Sequence, residues 1–315
     1  MAGFRPAFGL GGAHRQTLAA ALLPAPRPPL ARERFELPDG DFVDLDWHRD
    51  ARGPAVLVLH GLEGDSRSAY ARRLLAALAR CGRRAGVLHA RGRSGEPNRL
   101  ARSYTAGDTD DLACVLARLQ QRDGRAPDVV GYSLGANRLL KHLGEAAGRA
   151  GIRRAVAVSP PFDLGRAADR LDRGLSRLYQ WHLLRSLRAG YRVKLAQHPQ
   201  ALPLGADDLD ALKTFRSFDD RVTAPLHGYA GVEDYYGRCS CRPFLKDIAV
   251  PTLIVHALDD PFLYADAIPT PAELAPAVRL ELAAHGGHVG FLQGLSWPAQ
   301  DWLARRIAAF LDASD

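Results

Sequence analysis

The 315 residues are 47% hydrophobic and 24% charged, a globular balance that excludes long disordered tracts and leaves room for one α/β domain with an insertion. The formal charge is +7, and 38 of the 42 basic residues are arginine. No aromatic-interleaved basic strand or helix-turn-helix pattern accompanies them, so nucleic acid is not an expected partner. Cys81, Cys114, Cys239 and Cys241 form neither C-x-x-C pairs nor a dense framework, and "TLAAALLPA" is too short to span a bilayer and poorly placed for a signal peptide. The expectation is a cytoplasmic protein without disulfides or structural zinc, a monomer being favoured.

Along the chain, "ERFELPDGDFVDLDW" (33–47) alternates apolar and polar residues around Asp39-Gly40 and predicts an antiparallel hairpin. "AVLVLH" (55–60) is a continuous apolar run suited to a strand buried on both faces, with a loop and a helix near 67–81 after it. "RAGVLHA" (84–90) predicts the next strand. The helix expected near 108–121 places Leu112, Val115, Leu116 and Leu119 on one face. "DVVGYS" leads into the helix "LGANRLLKHLGEAA", and "RRAVAVSPP" (153–161) is the following strand. Alternating buried strands and helices imply a mostly parallel sheet covered on both sides.

From about 162 to 240 this rhythm stops and helical segments such as "LSRLYQWHLLRSL" replace it, predicting a helical cap insertion. Core segments 1–161 and 241–315 flank the cap. The sheet resumes with "PTLIVHALDDPF" (251–262) and "VRLELAAHGGH" (278–288), and "WPAQDWLARRIAAFL" (297–311) reads as a closing amphipathic helix. Trp181 and its leucines read as the cap's own core, with a membrane anchor as the alternative. Two basic runs, ten arginines between positions 67 and 102 and eight basic residues between 166 and 194, read as solvated helix surfaces or core-flanking groups. Arg91, Arg93 and "EPNR" read as a structured loop beside the site, a phosphate clamp being the alternative. "GLGGA" lacks the preceding strand and the lysine of a nucleotide loop.

Chemistry concentrates at three strand ends. Gly131, Ser133 and Gly135 have the G-x-S-x-G spacing, which a chain with 30 glycines can produce by accident. Here, however, it lies where a buried strand meets a helix, the sharp turn that holds a serine hydroxyl above a sheet edge. A serine needs a neighbouring base. Asp259 and Asp260 follow one later strand, and His285 and His288 the next, giving the order Ser, Asp, His. A histidine pair as metal ligands lacks a third ligand with recognisable spacing. The N–H of Leu62, in "HGLEG", and that of Leu134 could together form an oxyanion hole.

The stretches "HGLEGDSRSAY", "RGRSGEPNRLARSYTAGDTDDL", "GYSLGANRLLK", "VPTLIVHALDDPF" and "HGGHVGF" together resemble the YheT-like esterase family of the α/β-hydrolase superfamily, whose eukaryotic relatives include membrane-associated phospholipases. The resemblance runs from about Arg5 to the C-terminal helix. It implies an α/β-hydrolase fold, with Ser133 as nucleophile, Asp260 as acid and His288 as base. Asp260 is preferred to Asp259 because it directly precedes Pro261 and Phe262, and His288 to His285 because paired glycines let its loop turn back toward the serine. Where that family commonly has a second glycine before Asn137, this chain has Ala136, which would narrow the helix packing. The expected activity is cleavage of carboxylic esters with short- to medium-chain acyl groups, without cofactor or metal. A phospholipase or lipase-like enzyme in peripheral contact with membrane surfaces is the first alternative. A non-catalytic scaffold that retains the fold is the second.

Overall fold

The computed structural model of the protein describes residues 4–294 and 299–313. Its strands are β1 (Leu30–Glu36), β2 (Phe42–His48), β3 (Ala55–Leu59), β4 (Arg84–Leu88), β5 (Asp128–Tyr132), β6 (Ala155–Val158), β7 (Thr252–Ala257) and β8 (Val278–Ala283). They form one eight-stranded sheet in the order β1-β2-β4-β3-β5-β6-β7-β8. The hairpin predicted around Asp39-Gly40 pairs β1 with β2, and β2 docks antiparallel on β4; the remaining neighbours are parallel.

Side chains alternate across a strand, so β3 sends Val56 and Val58 to one face of the sheet and Leu57 and Leu59 to the other. The first face is covered by Leu74, Leu75 and Leu78 of one helix (Ala69–Arg80) and by Leu303, Ile307 and Leu311 of the C-terminal helix (Trp302–Asp312). The second face receives Leu112, Leu116 and Leu119 of the helix Asp110–Asp123 and Leu139, Leu140 and Leu143 of the helix Leu134–Ala146. Each fully buried leucine contributes roughly 1.5–3 kcal/mol. These two layers hold the C-terminal strand ends in fixed register.

Between β6 and β7 the chain leaves the sheet for six helices: Leu164–Leu171, Ser176–Gln197, Ala206–Ala211, Phe215–Phe218, Ala224–Leu226 and Val232–Cys239. A π-helical turn, Asp219–Thr223, joins the fourth to the fifth. This insert has its own apolar core, which includes Leu184, Leu187, Tyr191, Phe215 and Phe218.

Two expectations are corrected. Trp181 is 56% exposed, and Leu175 and Leu178 are 64% exposed each, so they are not cap core. At about 100° per residue Leu178 lies nearly opposite the stripe formed by Gln180, Leu184, Leu187 and Tyr191, and Trp181 about a quarter-turn from it; Leu175 is the N-cap, and Arg185 sits over the Trp181 ring. The closing helix begins at Trp302, because the Asp301 side chain accepts the Ala304 N–H at 2.9 Å as an N-cap, and Gln300–Asp301 pairs with Leu292–Gln293. Trp297 and Pro298 lie outside the described residues.

Candidate active site

β5 ends at Tyr132 and the next helix starts at Leu134, so Ser133 makes the turn alone, at φ 50° and ψ −118°. Non-glycine residues rarely adopt this conformation, which stores on the order of 1–3 kcal/mol of strain. A Cβ at Gly131 would approach the Gly135 carbonyl oxygen to 2.6 Å, and one at Gly135 would come within 2.4 Å of the Leu59 oxygen. Both glycines are therefore steric requirements of this turn and not products of composition. The methyl of Ala136 is accommodated in the buried core. Asn137, also buried, donates to the Ala106 and Cys239 carbonyls and accepts from Cys241 N–H, tying the serine's helix to the end of the insert.

The structure brings Ser133, His288 and Asp260 into one hydrogen-bonded line. His288 Nε2 lies 2.9 Å from Ser133 Oγ, and His288 Nδ1 lies 2.8 Å from Asp260 Oδ2. An ionised carboxylate only accepts, so Nδ1 carries the imidazole proton and Nε2 is left to accept from the serine. Burial alone would raise the Asp260 pKa. The charge and hydrogen bond of His288, with help from Phe262 N–H, outweigh it and hold the carboxyl below its ordinary value. Phe262 also stacks on the His288 ring, with centroids 3.9 Å apart and planes 2° from parallel. Asp259 does other work: its Oδ1 accepts Gly287 N–H at 2.9 Å, and its Oδ2 lies 3.4 Å from Nδ1 of the half-exposed His285.

Sequence reasoning missed what holds the histidine loop. The N-terminal helix Ala13–Leu22 packs against it, and Thr17 Oγ1 accepts the His288 N–H at 2.9 Å. Gln16, fully buried, donates to the Leu292 carbonyl and accepts the Leu292 N–H, each at 2.9 Å. One turn earlier, His14 stacks on Tyr179 of the insert. The sequence signal for these contacts is the opening stretch "GGAHRQT" (11–17), which carries no chemistry of its own.

The loop after β3 is equally constrained. His60 Nε2 accepts Ala90 N–H at 3.0 Å, which leaves Nδ1–H to donate to the Gly61 carbonyl at 2.7 Å. Burial keeps this ring neutral, its pKa pushed down to about 3. Gly61 N–H donates to Tyr70 and Glu63 N–H to Tyr104, while the Glu63 carboxylate binds Tyr104, Arg93 and Ser186 of the insert. The amides on either side of Leu62 are thus occupied. Leu134 N–H is the first of its helix, one of the amides that an α-helix leaves without an internal acceptor.

Above Ser133 and His288 the insert roofs a cavity of about 110 Å³. Leu134, Leu164, Ala168, Leu187, Phe215 and Phe218 give it largely apolar walls. The arginine-rich runs do not line it as a cationic face. Arg91 is buried and bidentate on Asp111, with Asp39 and Asp41 also in contact; Arg83, Arg84, Arg99 and Arg102 likewise face Asp128, Asp123, Glu36 and Asp108. Among the described residues no group of three metal-ligating side chains occurs, and no helix is long and apolar enough to cross a membrane.

A sheet of this order with a serine at a strand-to-helix turn, an acid after β7 and a histidine after β8 defines the α/β-hydrolase architecture. Residues 54–295 match the model of the family described as alpha/beta hydrolase fold, and the chain belongs to that family. Within it the chain is a relative of the Escherichia coli (strain K12) protein named "Putative esterase YheT": the two are 45% identical over 89% of this chain and 84% of the other. It is also similar to "Phospholipase ABHD3" of Mus musculus, at 31% identity over 91% of this chain and 73% of that one. A "Monoacylglycerol lipase" of Saccharomyces cerevisiae is 31% identical over 89% of this chain and 63% of its own length. The solved structure of the Pyrococcus furiosus esterase Pf2001 shares the fold, with a TM-score of 0.58 at 17% identity, covering 90% of this chain and 92% of that one.

Proposed function

We propose that the protein is a serine ester hydrolase that cleaves carboxylic esters with short- to medium-chain acyl groups through an acyl-enzyme. The observation that carries this reading is the Ser133–His288–Asp260 hydrogen-bonded line at the floor of an apolar cavity. The names of the relatives, esterase, phospholipase and lipase, agree on ester bonds and differ on the substrate.

In this reading the Ser133 hydroxyl attacks the ester carbonyl carbon while its proton passes to His288 Nε2. The negative charge that gathers on the carbonyl oxygen accepts hydrogen bonds from the Leu62 and Leu134 N–H groups. Asp260 keeps the imidazole in the required tautomer and stabilises its charged form. His288 then gives the proton to the departing alkoxide, releasing the alcohol and leaving the acyl group on Ser133. A water, deprotonated by the same nitrogen, attacks the acyl-serine and releases the carboxylic acid. None of these steps calls for a metal or cofactor.

A second reading, action on phospholipids or glycerides at a membrane surface, is favoured by one observation: Leu175, Leu178 and Trp181 are exposed beside Arg177 and Arg185 on one long cap helix. The experiment is a panel of nitrophenyl esters, glycerides and phospholipid vesicles, given to the parent and to Ser133→Ala. Ser133→Ala is expected to lose more than about a thousandfold in kcat and to resist fluorophosphonate labelling. Unchanged turnover and labelling would remove Ser133 as the nucleophile, whereas a parent that neither turns over esters nor labels would leave a non-catalytic scaffold. Preference for anionic vesicles that falls with salt supports the second reading; absence of vesicle binding at low salt removes it.

A further inference from the structure

Asp219 is a carboxylate that the mechanism above does not use. It opens the π-helical turn Asp219–Thr223 and lines the same cavity as Ser133 and His288. Turns of this kind within helical segments occur frequently at functional sites. Its Oδ1 accepts from Thr223 Oγ1 and its Oδ2 from Tyr236 Oη, both at 2.7 Å. A carboxylate offers about four acceptor positions, so two hydroxyls leave part of its capacity open.

Several buried acids elsewhere in the fold are matched by cations. Asp44 faces Arg34, Asp46 faces Arg32, and Asp128 faces Arg83 and Arg153. The groups that govern Asp219 are its burial and its two hydroxyl partners, with no cation among them; burial dominates and pushes the carboxyl up to about 6. A carboxylate in a wall that also presents Leu164, Leu187, Phe215 and Phe218 carries a desolvation cost that a leucine would not. A partner arriving with the substrate offsets that cost.

We infer that Asp219 is a specificity-determining residue that accepts a hydrogen bond from a hydroxyl on the acyl group, so that the cavity favours hydroxyacyl esters over unsubstituted esters of equal length. The inference rests on the ester-hydrolase reading and names its substrate class. A hydroxyl fits better than a cation. An ammonium group would have to shed its water to enter the apolar cavity, whereas a hydroxyl loses less and can pair with Asp219 in either protonation state.

The test is a graded series of nitrophenyl esters of ω-hydroxy acids, each compared with its unsubstituted counterpart, on the full chain and on Asp219→Asn and Asp219→Leu. The reading is the ratio of the two kcat/KM values within each protein, so a general loss of activity cancels. The parent is expected to favour the hydroxy ester at a matching chain length by roughly tenfold or more, the discrimination that a hydrogen bond to a charged group supports. Asp219→Asn, which keeps the size and an acceptor oxygen, should retain a weakened preference, and Asp219→Leu should reverse it. Equal ratios in the parent and both variants, or a parent preference for unsubstituted esters at every length, overturn the inference. If the parent turns over no ester at all, it is the ester-hydrolase reading that fails. Calorimetric titration of the parent with the free ω-hydroxy and unsubstituted acids then still decides Asp219, equal affinities at every length counting against it.

Discussion

The two walls of the cavity treat their polar groups in opposite ways. On the sheet side each candidate reacting group is fixed by hydrogen bonds from at least two directions: His288 by Asp260, Ser133 and Thr17, and the loop carrying Leu62 by Tyr70, Tyr104 and His60. On the cap side the wall is mainly hydrocarbon and aromatic ring, its polar groups being Asp219, which meets the Thr223 and Tyr236 hydroxyls, and the Tyr191 and Tyr235 hydroxyls bonded to Ser103 and to Ala106 N–H. Hydrogen bonds are directional and fix atoms to a few tenths of an ångström, as bond-breaking requires. Packing is non-directional and fixes shape and volume, as selection among acyl groups requires. The division implies that sheet-side changes alter rate and cap-side changes alter preference.

The largest expected effect is on the sheet side. Asp260→Asn preserves shape but lets the imidazole adopt the wrong tautomer, and should lower kcat on any accepted ester by about 10⁴; a fall of tenfold or less would break the contrast between the walls. On the cap side, Leu187→Ala enlarges the cavity. It is expected to shift the kcat/KM ratio of longer to shorter acyl esters by roughly tenfold, with a much smaller loss on the acetyl ester than Asp260→Asn causes. A uniform loss at all chain lengths would show that the cap contributes to rate.

The smallest effect concerns a sheet-side group that departs from the pattern. His256, in β7 near Asp260, is fully buried, and neither ring nitrogen has a hydrogen-bond partner among the described residues. Burial pushes its pKa down to about 4. Unfolded, it would titrate near 6.5. As pH falls from about 6.5 to about 4, the unfolded chain takes up a proton that the folded chain refuses, so stability falls across that window and is fully present above it. His60 acts in the same direction. Urea unfolding of His256→Phe should show a loss of stability between pH 7 and pH 5 smaller than the parent's by roughly 1–2 kcal/mol; identical losses would mean that His256 is not held neutral.

Local signals carried much of the architecture. The parallel strands β3 to β7 were visible as apolar runs, and the helix Asp110–Asp123 presents the face that its leucines predicted. Ser133 was legible because a turn this tight imposes glycines at fixed offsets. The candidate acid was less so: Asp259 and Asp260 are chemically equal, and only the backbone direction after β7 sends one carboxylate to His288 and the other to Gly287 N–H. Periodicity gave the helix through Trp181 but not which side of it would be covered, since that depends on where the other cap helices land. Gln16 and Thr17 meet partners more than 270 residues away, and the arginine runs find acids from distant segments; contacts of that separation leave no local pattern. Asp219 has no periodic signature, because its role depends on facing the cavity.

The helix Ala13–Leu22 lies well before the first residue matched by the family model. A chain shortened to the matched residues 54–295 would keep Ser133, Asp260 and His288, yet it would lose all three hydrogen bonds through which Gln16 and Thr17 grip the histidine's loop. It would also lose the stacking of His14 on Tyr179. The helix Ala13–Leu22 therefore acts as a strap across the seam between sheet and cap. Anything attached to that segment is attached, mechanically, to the loop that carries His288.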